Sequence, residues 1–148
     1  MHLRLHGEQI PEALCDVVAA ITDHARLRHA ELAHDESSHI VRLPITRFPL
    51  TKRRRVLGNV HDWHSPIRAT VTVRNVVTCE LVDHTTPDLG GEVQLLFGVR
   101  VRGKEISACS AEEDRGQTCF SVTVEVAGLD LEIADEIGSG PEGSRHAS

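Results

Sequence analysis

The sequence predicts an α+β, mostly β fold: one N-terminal amphipathic helix packed on antiparallel sheet, sandwich-like, with about six to eight strands. Three observations carry that expectation. From Ile67 to Leu81 the odd positions are apolar (Ile67, Ala69, Val71, Val73, Val77, Cys79, Leu81), interrupted only by Asn75, while the even side reads Arg68, Thr70, Thr72, Arg74, Val76, Thr78 and Glu80. Side chains alternate between the faces of a strand, so a period of two held this long means extended chain with one dry face. The alternation returns on Val93, Leu95, Phe97, Val99 and Val101, and again on Phe120, Val122, Val124 and Val126. A helical period shows in one stretch, where Ile10, Leu14, Val17, Val18 and Ile21 share a face.

In chain order, Leu3-Arg4-Leu5 is long enough for a short strand. The helix is expected over Pro11–Asp23, with proline at the first turn, where its missing N–H costs nothing, and Glu8 and Glu12 near the positive end of the helix dipole. Val17, Val18, Ile21 and Thr22 are β-branched and weaken the intrinsic propensity, so the helix must lean on an apolar surface. The odd face of the 67–81 strand is the candidate. Residues 27–46 read as a hairpin turning within Asp35-Glu36-Ser37-Ser38, which would set His34 opposite His39, Leu32 opposite Val41 and Ala30 opposite Leu43.

Residues 47–66, with Pro49, Lys52-Arg53-Arg54-Arg55, Gly58-Asn59 and His61-Asp62-Trp63-His64-Ser65-Pro66, read as a long loop. Asn75 marks a bend, a bulge or a passage between sheets, because fifteen residues exceed the usual strand of roughly five or six. Thr85–Gly91 is a turn region. Arg102-Gly103-Lys104-Glu105 has the glycine-first pattern of a type II′ hairpin, pairing Val101 with Ile106 and Val99 with Ala108. Ala111–Gln117 is a polar loop. At Ala127-Gly128 the apolar parity moves to Leu129, Leu131 and Ile133, as a tight hairpin or a glycine bulge would produce. From Gly138 on nothing is left to bury, so the chain divides into one domain over 1–137 and a disordered tail over 138–148.

Composition narrows the function classes. With 40% hydrophobic and 26% charged residues in 148, the chain has enough apolar content for a core of its own. The longest apolar run near the N-terminus, Val17–Ile21, is far short of a membrane span or a secretory signal, so a cytoplasmic protein without a membrane partner is expected. Cys15, Cys79, Cys109 and Cys119 form no C-x-x-C pair and are read as reduced, mostly buried thiols. The net charge of −6 is segregated: residues 40–79 hold eight basic residues and one acid, between acidic flanks. That middle is either a binding surface or a local excess that strand pairing cancels.

Ten histidines include His24, His29, His34 and His39, five apart. An ideal helix turns about 500° over five residues and a strand flips face, so neither brings successive members together. Only His34 and His39 could meet, across the hairpin, where Asp35 or Glu36 could complete a metal site; exposed turn histidines are the commoner case. His61-Asp62-Trp63-His64 is the densest reactive set. His61 and His64 with Asp62 could ligate a metal or act as an oriented general base, yet H-x-x-H without a third ligand arises easily by chance, and Trp63 is read more simply as the anchor of the loop.

No G-x-S-x-G elbow, dinucleotide fingerprint or P-loop is present, and no cofactor is expected. Glu112-Glu113-Asp114 reads as a solvated charge cluster. Nucleic acid is disfavoured, because Tyr is absent and Phe48, Phe97 and Phe120 have core parity or surroundings, which leaves no stacking platform. The expectation is a non-enzymatic domain that binds another protein, with an acidic surface, through the 47–66 segment. Lys52, Arg53, Arg54, Arg55 and Trp63 are its contact residues, Arg and Trp being favoured at interface hot spots. The alternative is a metal-dependent or histidine-based enzyme on His61, Asp62 and His64. An oligomerising domain that uses an open sheet edge is a third reading.

Overall fold

A computed structural model of the chain describes residues 1–8, 10–52, 59–61, 66–84, 92–110 and 120–136, with only backbone pairing described for 50–52 and 59–61. The expected turn at Thr85–Gly91, the loop at Ala111–Gln117 and the tail over 138–148 lie outside these residues.

Among the described residues twelve strands and one α-helix follow one another: β1 (His2–Gly7), α1 (Glu12–Thr22), β2 (Arg26–Leu27), a 3₁₀ turn (His29–Glu31), β3 (Ala33–Asp35), β4 (Ile40–Arg47), β5 (Leu50–Lys52), β6 (Asn59–His61), β7 (Ile67–Val73), β8 (Val76–Asp83), β9 (Val93–Arg102), β10 (Glu105–Ser110), β11 (Phe120–Val126) and β12 (Leu129–Asp135). Ten of the strands make one open sheet in the order β1-β12-β7-β4-β2-β9-β10-β11-β8, with β3 beside β4, while β5 and β6 pair apart from it. The described pairings are antiparallel. The strand number exceeds the expected six to eight because pieces of two or three residues are too short to show alternation. The strands also form one hydrogen-bonded path rather than the two sheets of a sandwich.

Asn75 divides the expected 67–81 strand. It adopts a left-handed backbone (φ 59°), which Asn tolerates better than most residues. Before it, β7 runs between β4 and β12; after it, β8 pairs with β11 at the far end of the sheet path. Ala127-Gly128 is the matching crossing from β11 to β12, so the parity shift there reflects neither a hairpin nor a simple bulge. The two crossings are tied together: Ala127 N donates to Asn75 O at 2.9 Å, Arg74 N to Asp130 O at 2.9 Å, and Asn75 Nδ2 to Gly128 O at 3.2 Å. A long two-stranded ribbon thus turns a corner, and both halves feed one buried cluster that includes Val71, Leu131 and Ile133 from one side and Val76, Val122 and Val124 from the other.

Helix α1 packs on β9, not on β7. Its buried residues are Val18 and Thr22, whereas Leu14 and Val17, expected inside, are 39% and 41% exposed. The contact is decided by Phe97 and Gly98, which hold left-handed φ values of 60° and 66° and interrupt the β9–β10 register. Thr22 Oγ1 donates to Val18 O at 2.7 Å and accepts from Val99 N at 2.7 Å, so one buried hydroxyl joins the last helical turn to the strand. The irregularity also spoils the expected Val99–Ala108 pair, though Val101 does oppose Ile106 and Gly103 alone in its turn has positive φ.

The β3–β4 hairpin forms two residues out of the expected register, with His34 opposite Val41. Asp35 Oδ1 accepts from Ser37 N at 3.1 Å, Ser37 Oγ at 2.7 Å and Ser38 N at 3.3 Å. This side-chain turn starts at Asp35, so residues 36–39 form the turn and His39 takes φ 59° instead of facing His34. The sequence pairing that could have gathered a metal is therefore not made.

Candidate functional site

The 47–66 segment is not a continuous loop. β5 and β6 form a separate two-stranded hairpin with Leu50 opposite His61, Thr51 opposite Val60 and Lys52 opposite Asn59. Lys52 therefore ends one arm and His61 ends the other, at opposite ends of the hairpin. Arg53, Arg54 and Arg55, and likewise Asp62, Trp63 and His64, lie outside the described residues. Among the described residues no group of three or more His, Cys, Asp or Glu is placed to hold a metal ion.

Part of the basic middle of the chain is spent on ion pairs within the sheet. β12 is the acidic strand, and β4, β7, the residue after β7, and β1 supply the cations. Arg74 Nη2 reaches Glu132 at 2.9 Å, Arg47 binds Asp135 through two bonds of 2.9 and 2.7 Å, and Arg68 Nε lies 3.5 Å from Glu136. From the other side Arg4 binds Asp130 through Nε and Nη2 at 3.1 and 2.9 Å, and His2 pairs with Glu132. The buried Arg28 reaches Glu136 at 2.9 Å and Ile45 O at 3.4 Å. Three of the basic residues in the 40–79 segment, Arg47, Arg68 and Arg74, are thus offset by acids that lie far away in sequence.

These bonds hold carboxyls below their ordinary range: the Arg4 hydrogen bond lowers Asp130, the His2 hydrogen bond lowers Glu132, and the Ser37 hydrogen bond lowers Asp35 from 3.8 to about 2. A carboxyl depressed by folding adds stability above its unfolded value and loses it as pH falls through the folded one. The urea midpoint should be level from pH 7 down to about 5 and then fall toward pH 2. Asp35→Ala should flatten the part of that fall between 3.8 and about 2. A wild-type midpoint unchanged down to pH 2 would refute this account.

A cleft of about 360 Å³ lies between Glu8 and Ile10, Cys15 of α1, the β9–β10 turn and Leu129. Its lining is mixed polar and apolar, and burial followed by the charges of Asp16 and Glu12 raises the Cys15 thiol, which favours the protonated form. His29 Nδ1 lies 2.9 Å from Asp83 Oδ2, with its ring 6.2 Å from that of Phe120. This pairing joins the 3₁₀ turn to the end of β8, and histidine spacing held no hint of it because the partner is 54 residues away.

Among the described residues, β1 and β8, which end the strand path, are the remaining candidates. On β8, Val77 is 64% exposed, Leu81 49% and Val82 43%. Val77 is the extra residue where the β8–β11 register shifts. The sequence signal was Val76 and Val82 on the supposedly polar side, which made this strand apolar on both faces. The chain matches no protein-family model, no curated protein and no solved structure.

Proposed function

We propose that the protein is a non-enzymatic interaction domain that binds another protein through the 47–66 segment. Lys52, Arg53, Arg54, Arg55 and Trp63 would meet an acidic partner surface. One observation carries this reading: the basic run starts at the end of a hairpin that stands outside the ten-stranded sheet, and Lys52 and Asn59 form the pair that brackets the rest of it. Arg47, Arg68 and Arg74, also from the basic middle of the sequence, are taken up by Asp135, Glu136 and Glu132. A charge cluster of this kind steers association and sets specificity more than it adds raw affinity. Cys15, Cys79 and Cys109 are free and half-buried, which suits a reducing compartment such as the cytoplasm. No described helix is long and apolar enough to cross a membrane.

Reversing the four charges to glutamate should strip the salt-sensitive partners from a pull-down while leaving the thermal melt unchanged. If every partner is retained by the folded variant, the 52–55 contact is wrong.

A further inference from the structure

β1 is held differently from the strands beside it. Among the described residues its one strand neighbour is β12, and of its six residues only Leu5 is buried, with Leu3 half-buried. β7, by contrast, lies between β4 and β12 and buries Ala69, Val71 and Val73. Segments with few buried apolar side chains open locally at a lower free energy than the fold as a whole. A glycine stands at the exit from β1: Gly7 has φ +139°, a backbone that other residues rarely adopt, and a Cβ there would meet only Ile10 Cδ1, at 3.9 Å.

What β1 covers is built from the other side. Odd residues of β12 turn their backbone groups toward β1, as Asp135 N does in donating to Met1 O at 3.1 Å, and even ones turn toward β7, as Asp130 O does in accepting from Arg74 N at 2.9 Å. Arg74 Nη2 holds Glu132 at 2.9 Å and its Nη1 lies 3.7 Å from Asp130, so both carboxylates keep a cation that does not come from β1. β1 supplies the complement. Leu3 stands opposite Ile133 and Leu5 opposite Leu131, while on the other face Arg4 bonds Asp130 and His2 bonds Glu132.

We infer that β1 is a releasable strand, and that the β12 edge beneath it is a docking site for an extended segment of another protein in which basic and apolar residues alternate. β1 is then the chain's own occupant of that site. A segment that takes over the register of β1 meets the backbone groups of β12 in phase, its apolar side chains meet Leu131 and Ile133, and its cations meet Asp130 and Glu132. In strand addition of this kind the main-chain bonds supply affinity and the alternate side chains supply specificity. The partner is cationic, whereas the one proposed for the 52–55 surface is acidic, so the two readings stand or fall separately.

Amide hydrogen exchange, followed by NMR on the full wild-type chain, tests the release. Leu131 and Ile133, whose amides face β1, should be protected about tenfold less than Glu132 and Ala134, whose amides face β7. Equal protection of the two sets would mean that β1 leaves only when the whole domain unfolds, and would overturn the inference. Docking is read by fluorescence anisotropy with a labelled peptide that has the sequence of residues 2–7. β1 competes with it at the high effective concentration of a tethered segment, so Leu5→Ser, which weakens β1 and leaves the β12 edge intact, should bind the peptide about tenfold more tightly than wild type does. Glutamate in place of arginine in the peptide should lower its affinity about tenfold. No saturable binding to Leu5→Ser, binding no tighter than that of wild type, or equal binding of the two peptides would each overturn the β12 edge as a site for basic segments.

Discussion

Gly98→Ala should unfold the helix end and cost about 3 kcal/mol or more, a left-handed alanine accounting for about 1–2 of this and forced displacement of packed backbone for the rest. Gly98 has φ +66°, and a Cβ placed on it would lie 2.5 Å from Thr22 Oγ1, 2.7 Å from the Thr22 carbonyl carbon and 2.8 Å from Ala19 O. Two of those three atoms are helix backbone, so no rotamer change relieves the clash. Moving α1 away would also open the buried bond from Val99 N to Thr22 Oγ1. Gly103→Ala is the internal control. Its φ is +59° but nothing lies within 4 Å, so it should cost only the left-handed term of about 1–2 kcal/mol. At this chain size the larger loss corresponds to a drop of roughly 6–12 °C in Tm. Equal melting temperatures for the two variants would show that the helix does not rest on Gly98 as described.

Phe120→Ala should lose about 3–5 kcal/mol, a large share of the roughly 5–15 kcal/mol available to a domain. Phe120 is fully buried and its backbone N donates to Ser110 Oγ at 3.0 Å. It opposes Asp83 in the β8–β11 pair, and its ring sits against His29, so the cavity would open beneath the contact between the 3₁₀ turn and β8. Phe97 is the contrast. It shares the apolar alternation of β9 yet is 60% exposed, with the Arg100 guanidinium 5.7 Å from its ring centroid. Phe97→Ala should cost under about 1 kcal/mol. Urea titrations followed by circular dichroism separate the cases; similar losses for both phenylalanines would contradict the burial that distinguishes them.

That contrast shows how far the sequence could be read. The alternation on 93–101 correctly announced a strand, but residues 97 and 98 take left-handed φ, so the face presented by Phe97 is not the one its parity implies. Val77 and Leu81 were expected inside on the same grounds and are exposed, because β8 is an edge strand and Val77 is the bulged residue. His34 and His39 were expected to oppose each other, and the Asp35 side-chain turn moved the register by two. The basic run from Lys52 was visible as a run. Its hairpin was not, since Leu50–Lys52 and Asn59–His61 are three residues each and a period of two needs more chain than that.

The sequence by itself determined the longer extended stretches, a single helix within Pro11–Asp23, the Gly103 turn and a break in the strand at Asn75, all of which follow from the direction of side chains relative to their own backbone. Only the tertiary structure decided that β7 and β8 belong to separate regions of one sheet path, that α1 rests on β9, and that Arg47, Arg68 and Arg74 are spent on β12 and the residue after it. It also decided which strands are left at the edges. Those outcomes depend on contacts between segments far apart in the chain. Local periodicity specifies which face of a strand is dry, but carries no information about which strand will cover its side.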